Sequence, residues 1–307
     1  KAFGEKLLFE DLSFDLPPGG VVGVVGPNGA GKTTTMRAIT GYLMPIEGEV
    51  WVADCNMRKD PLKARQHIGY LPETIPLYTD MTTRAYLRFA ARLRGLDSKI
   101  TQRRIDEVVD VCQLQEYCDV LTGKLSKGFR QRVGLAQAII HDPDVLIMDE
   151  PTDGLDPNQK HEVRSLIRRM GQSKAIIFST HILEEVEAAC TRAIIIDQGK
   201  VVANGTPNEL KSKSESANSF IVTIKGTETQ EVRDKLGTII ESSKVTIVSD
   251  KAPTVTARVF AKKTDENSEL GQAIYDVATQ NSWQVSEIRK EEGRLDDVFR
   301  DITRTDT

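Results

Sequence analysis

Nine consecutive residues, Gly26-Pro27-Asn28-Gly29-Ala30-Gly31-Lys32-Thr33-Thr34, hold what a polyphosphate needs. Their spacing, G-x-x-x-x-G-K-[ST], is the P-loop pattern. Gly26 and Gly31 permit backbone conformations that a Cβ would disfavour and let the chain approach a phosphate closely. The N–H groups of the loop and the positive end of a following helix would point at one anion. The Lys32 ammonium can reach the β- and γ-phosphates of a nucleotide, and the Thr33 hydroxyl can ligate Mg²⁺. An apolar run, Val21 to Val25, precedes the loop, and a helix-like segment through Met36 and Ile39 follows it. This is the strand–turn–helix setting that the pattern requires.

A second anchor is Val145-Leu146-Ile147-Met148-Asp149-Glu150, four apolar residues ending in two carboxylates. A Walker B strand has this form: a buried strand whose C-terminal end opens where an α/β sheet binds ligands. Asp149 would hold Mg²⁺ directly or through water. Glu150 would orient and deprotonate an attacking water, a role worth about 10²–10⁴ in rate. Alone, the pair reads rather better as two solvated acids; the P-loop upstream decides for chemistry. A third stretch, Leu125-Ser126-Lys127-Gly128-Phe129-Arg130-Gln131, begins a helix with Ser126 as a natural N-cap. A helix start with a hydroxyl, free N–H groups, a glycine and a lysine is a second phosphate-binding element, although in isolation it reads as an ordinary capped helix.

The elements needed to position these residues are legible in outline. Short strands are expected at Lys6–Phe9 and Leu12–Leu16, then Val21–Val25, Gly48–Ala53 and a run from Ile68 that breaks at Pro72. Apolar strands at Val145–Met148, Ala175–Phe178 and Ala193–Ile196 alternate with helices near 127–141, 158–170 and 182–190. Pro143 stops the first of these helices, and Gly199-Lys200 turns the last strand back into Val201–Ala203. Continuous apolar strands alternating with helices argue for a parallel sheet covered on both faces. Residues 75–122 read as a helical insertion, with Tyr86, Leu87, Ala90 and Leu93 on one face and Ile105, Val108, Val109 and Cys112 on another. Its arginines read as solvated faces. Lys211 to Ser216 reads as a polar linker. Beyond it, strands near 220–224, 239–248, 255–259 and 283–288, helices near 232–236 and 270–278, and a final helix through Phe299 give β-α-β-β-α-β-α, a small ferredoxin-like α+β module. The expected domains are 1–210, with the helical subdomain at about 75–122, a linker at 211–216, and 217–307.

The chain has 307 residues, enough for two domains with sizeable cores, and is 39% hydrophobic and 28% charged. A net charge of −4 gives no electrostatic reason to expect nucleic acid. Four cysteines lie scattered without C-x-x-C spacing, so neither zinc nor a disulfide framework is expected, and a reducing compartment fits. No apolar stretch approaches the ~18–20 residues that span a bilayer. The first residue is Lys1, not Met; the reading expects a trimmed N-terminal piece and no signal peptide.

The P-loop, then Leu125-Ser126-Lys127-Gly128, then Met148-Asp149-Glu150-Pro151-Thr152, in that order, resembles the ATP-binding cassette (ABC) ATPases. The resemblance extends over residues 1–210 and assigns further positions. Gly154-Leu155-Asp156 looks like the D-loop. His181, in Ser179-Thr180-His181, looks like the switch histidine that contacts the γ-phosphate. Phe3 matches the aromatic that stacks on adenine, and Glu73 stands where many members carry a glutamine that meets Mg²⁺ or water. The family fold is a P-loop α/β cassette with a helical subdomain. Two cassettes close head to tail on ATP and Mg²⁺, so Ser126 and Gly128 would act on the partner's nucleotide. The implied partners are a second cassette, identical or homologous, and a separate integral membrane permease. The implied location is cytoplasmic, on the inner face of the cell membrane.

Three residues depart from the commonest pattern. Lys127 and Phe129 occupy the third and fifth signature positions, and Glu73 is a carboxylate where an amide is usual. Such departures are similar to those of ABC-2 type exporter ATPases, and the ending Arg294-Leu295-Asp296-Asp297-Val298-Phe299 looks like the tail of their accessory domain; the gliding-motility type fits best. One rival is a soluble ABC protein acting on ribosomes or DNA. Such proteins carry two cassettes or a long coiled coil, and this chain has neither. The other rival, a non-hydrolysing ATP switch, is disfavoured by the intact Asp149–Glu150 pair.

Overall fold

The computed structural model describes residues 19–240, 242–262 and 267–303. The expected strands at 6–16 and the expected adenine partner Phe3 lie outside them. The chain divides between Pro207 and Asn208 into two compact units.

The first unit is built on a six-stranded sheet. Its strands are β1 (Val21–Val25), β4 (Ile68–Leu71), β5 (Val145–Asp149), β6 (Ala175–Thr180), β7 (Arg192–Asp197) and β8 (Lys200–Gly205), in the order β4-β5-β6-β1-β7-β8. All neighbours are parallel except the β7–β8 hairpin. Helices α1 (Lys32–Ile39) and α2 (Pro61–Gln66) pack on one face. Helices α5 (Lys127–Ile139), α6 (Pro157–Met170) and α7 (Leu183–Ala189) cover the other. Strand alternation sorts the core: Leu146, Met148, Ile176 and Phe178 go to the α5–α6 face, while Ile147, Ile177, Ile194 and Ile196 go to the α1 face. The strand expected at Gly48–Ala53 shrinks to β2 (Trp51–Val52), which pairs only with β3 (Cys55–Asn56).

The insertion holds α3 (Thr83–Leu93) and α4 (Ser98–Val111), N-capped by Thr82 and Asp97. Tyr86, Leu87, Ile105 and Val108 share one core with Val133 and Leu135 of α5. Leu93, expected inward, is exposed. It closes the last turn of α3, and Ala90 and Ala91 fill the buried face instead. None of the described helices is long and apolar enough to cross a membrane.

The second unit is the expected ferredoxin-like module. Strands β9 (Ser219–Lys225), β10 (Ser242–Lys251), β11 (Thr254–Ala261) and β12 (Gln284–Lys290) form a fully antiparallel sheet in the order β10-β11-β9-β12. Helices α9 (Thr229–Gly237) and α10 (Asn267–Gln280) pack against it, after α8 (Pro207–Lys211) and before α11 (Leu295–Thr303). Ile239 and Ile240 sit in the turn before β10, Ile239 buried and Ile240 exposed, not in a strand.

The segment read as a polar linker is an ordered serine turn. Ser214 and Ser216 are buried. Ser216 Oγ donates to Asp297 Oδ2 at 2.8 Å, and Ser219 Oγ to Glu291 Oε2 at 3.0 Å. Arg258 Nη2 donates to the other oxygen of Glu291 at 2.7 Å. The acceptors lie more than 70 positions downstream, so no local pattern announces them. Glu291 is buried and Arg258 half-buried, so losing the carboxylate leaves polar partners unsatisfied at a cost of about 1–3 kcal/mol. Glu291→Ala therefore lowers the stability of this unit by about 2 kcal/mol, read by urea unfolding from Trp283 fluorescence in a Trp51→Phe background. A shift near zero would show that the network contributes no stability.

Candidate active site

The strand order gathers the chemistry at one edge of the sheet. β6 lies between β1 and β5. Its register sets Ser179 beside Asp149 and Thr180 beside Val25, so the P-loop, Asp149–Glu150 and His181 all leave the C-terminal ends of adjacent strands.

The loop closes as its glycines require. Gly26 is buried, and a Cβ on it would lie 2.2 Å from the Ile196 carbonyl oxygen, a backbone atom that cannot yield. Gly31, at φ 106°, precedes α1 in the left-handed region that favours glycine. Pro27 is half-buried, Asn28 and Gly29 are exposed at the tip, and Ala30 is buried beneath them. The buried Lys32 folds back over the loop. Its Nζ donates to the Gly26 carbonyl at 2.8 Å and the Pro27 carbonyl at 3.2 Å, and lies 3.7 Å from Glu150 Oε1. Thr34 follows on the first turn of α1, half-buried.

Asp149 is 1% exposed, and its Oδ1 accepts from Thr33 Oγ1 at 3.1 Å and Ser179 Oγ at 2.6 Å. Ser179 Oγ in turn accepts from the Glu150 N–H at 3.0 Å. Glu150 sits at φ 47°, uncommon for a residue with a side chain. Its Oε2 lies 3.0 Å from His181 Nδ1. Burial pushes the Glu150 carboxyl above its ordinary value, and Asp149 adds to this. The bond to His181 and the charge of Lys32 oppose the rise without cancelling it. The result is a carboxylate that binds a proton more readily than a solvated one and faces a histidine and an ammonium.

The oxygens of Thr33 and Asp149 suit a hard cation, which takes one or two protein ligands and keeps the rest for water and phosphate. Glu73 is exposed just beyond β4. The Tyr70 hydroxyl of β4 is pushed up by burial first and by Asp149 next, with Arg37 opposing the rise and Glu73 adding least.

The remaining expected residues are engaged in other contacts. Ser126 is exposed and N-caps α5, accepting from Phe129 N at 3.4 Å. Gly128 packs on the Gln159 side chain of α6. Asp156 N-caps α6, accepting from Gln159 N at 2.9 Å. Among the described residues, no hydrogen bond or ion pair joins Ser126, Gly128 or Asp156 to Lys32, Asp149 or Glu150. The unusual Lys127 donates from Nζ to Asp153 Oδ2 at 2.9 Å, tying the signature helix to the turn after Glu150 and holding the Asp153 carboxyl low. Phe129 packs on Tyr117, ring centroids 3.7 Å apart, and the Arg132 guanidinium lies 5.5 Å from its ring centroid. Ser179 escaped the sequence reading. Its signal, a hydroxyl ending an apolar strand, gains meaning only once β6 is known to lie beside β5.

The family model of the ABC transporter matches residues 9–153. The Nod factor export ATP-binding protein I of Paraburkholderia xenovorans is 33% identical over 246 residues, 80% of each chain. The linearmycin resistance ATP-binding protein LnrL of Bacillus subtilis is 34% identical over 227 residues, 74% of this chain and 73% of its own. Neither name points to gliding motility, and that expectation gains no support. A solved ATP-binding subunit of an ABC transporter superposes with a TM-score of 0.62 at 31% identity, over 69% of this chain and 89% of that one. The dimeric cassette MJ0796 shares the fold, with a TM-score of 0.61 at 22% identity over 66% of this chain and 93% of its own. The chain belongs to the ABC transporter family, as one of its ATP-binding ATPase subunits.

Proposed function

We propose that this chain is the ATP-hydrolysing subunit of an ABC-2 type exporter, working as a dimer of cassettes on a separate membrane permease. The observation that carries the hydrolytic part is the Glu150 cluster: a half-buried, proton-avid carboxylate within reach of His181 and Lys32, directly after Asp149 at the end of β5.

In this reading, Gly26 to Thr34 wrap the triphosphate with backbone N–H groups, and Lys32 leaves its carbonyl partners for the β- and γ-oxygens. Thr33 and Asp149 would hold Mg²⁺, with Glu73 offered as a further oxygen ligand; the ion would supply neutralisation of phosphate charge. Glu150 accepts a proton from water, and His181 keeps its carboxylate turned toward the phosphate. Ser126 is exposed at the start of α5, with Gly128 buried beside it against Gln159; this helix N-terminus suits an anion presented by another chain. Among the described residues neither Ser126 nor Gly128 bonds to Lys32 within one chain, which supports a composite site with the signature supplied by the partner cassette. Asp156, at the head of α6, belongs to that same surface.

The exporter assignment rests on the two relatives, whose names refer to Nod factor export and to linearmycin resistance. A cassette without a membrane-crossing helix among its described residues would sit on the inner face of the cell membrane through the permease.

Two outcomes test the hydrolytic assignment. Glu150→Gln lowers ATP turnover by at least about 10²-fold and, in ATP, elutes as a dimer; normal turnover would show that another group is the base. The second concerns pH. Wild-type turnover falls as pH drops through a midpoint above the usual carboxylate value of about 4, because Glu150 must be ionised to accept the proton. The same shift bears on stability. A carboxyl raised on folding stabilises fully below its unfolded value, and this contribution is lost as pH climbs through the folded one. Glu150→Gln, neutral throughout, therefore melts at or above wild type at neutral pH, with the gap closing in acid. A variant that melts lower at neutral pH would contradict the net cost of the buried charge.

A further inference from the structure

Glu185 is a carboxylate withdrawn almost wholly from water, 1% exposed on the first turn of α7, and the scheme above gives it no role. Its two oxygens are divided between two segments. Oε1 accepts from Thr152 Oγ1 at 2.5 Å, and Oε2 accepts from Thr180 Oγ1 at 2.8 Å. The charge facing it is Lys160 on α6, with Nζ at 4.0 Å from Oε1. Its two hydroxyl partners come from the two turns that carry the site. Thr152 lies two residues after Glu150, in a turn closed by Asp153 N donating to the Glu150 carbonyl at 3.1 Å. Thr180 immediately precedes His181, and its Oγ1 also accepts from the Ile182 N–H at 3.0 Å, bracketing the histidine from both sides.

The Glu150–His181 contact spans those same two turns. A shift of either would change its length, and a 1 Å misplacement of a catalytic group can cost about 10²-fold in rate. A buried carboxylate accepting two hydroxyls and only distantly met by a lysine is an expensive way to fill this volume, since an apolar residue would avoid the desolvation. What the carboxylate supplies that an apolar residue cannot is two acceptors at fixed separation.

We infer that Glu185 is a positioning residue that locks the turn after Glu150 to the turn holding His181 and so sets their alignment for hydrolysis. The inference rests on the roles assigned above to Glu150 and His181. Glu185→Gln keeps the shape but has only one oxygen to accept with, so one of the two hydroxyls loses its acceptor.

The test is ATP turnover and ATP affinity for wild type, Glu185→Gln, His181→Ala and the double variant. Glu185→Gln is expected to lower kcat about tenfold or more and to leave ATP affinity within about twofold of wild type. In the His181→Ala background the same change is expected to cost less than about twofold further, because two residues acting through one contact are not additive. Should Glu185→Gln prove unstable, Thr180→Val removes one donor and the His181 bracket while leaving the carboxylate in place, and is expected to show the same kcat loss. A full additional loss on top of His181→Ala, unchanged kcat, or a loss confined to ATP affinity would overturn the inference. Wild-type turnover in His181→Ala would instead remove the histidine's assigned role, and the inference with it.

Discussion

Two carboxylates stand side by side at the end of one strand, and both are largely cut off from water. Mutual repulsion and lost hydration make that arrangement unfavourable, and much of the first unit offsets it. Asp149 accepts two hydroxyls, from Thr33 and Ser179. Glu150 has a histidine on one oxygen and a lysine near the other. Its backbone is tied to the same Ser179 hydroxyl that Asp149 uses. One serine thus fixes the side chain of one acid and the main chain of the next. The parallel β5–β6 register delivers that serine, so the sheet order is a condition of the chemistry as well as of the core.

The P-loop depends on the same sheet. Gly26 approaches the Ile196 carbonyl from the β7 side, while β6 brings Thr180 and His181 from the other. β1 at the centre of the sheet gives the loop neighbours on both flanks. Among the described residues no second helix start bonds to this edge; the one at Ser126 is exposed and tied through Lys127 to Asp153. On the function proposed above, that helix start would serve the nucleotide of a second copy.

Much of this was readable before any coordinates. The P-loop, the apolar strand ending in Asp149–Glu150 and the Ser126 cap are local patterns, and local patterns survive folding because backbone geometry enforces them. The ferredoxin-like order of the second unit was readable too, from alternation and helical spacing. What was missed depends on contacts distant in sequence. Ser179 matters because of a strand register. Ser216 and Ser219 are buried because Asp297 and Glu291 come to them from far downstream, so a run that is locally linker-like is part of a core. Leu93 fits an apolar stripe yet faces out, because Ala90 and Ala91 meet the packing surface one turn earlier. Glu185 reads as one acid among several on a short amphipathic helix until Thr152 and Thr180 are seen to share it.

The central claim is that each ATP is hydrolysed by the P-loop, Asp149 and Glu150 of one chain under the Ser126 helix of another. Complementation between two disabled chains tests it most directly. Lys32→Ala removes the phosphate lysine, and Ser126→Arg blocks the signature helix. The account predicts that each variant alone is inactive, and that mixing them restores a measurable fraction of wild-type ATP turnover, since the mixed dimer holds one intact composite site. Full activity of Ser126→Arg alone, or a mixture as inactive as its parts when the two chains demonstrably associate, would contradict it.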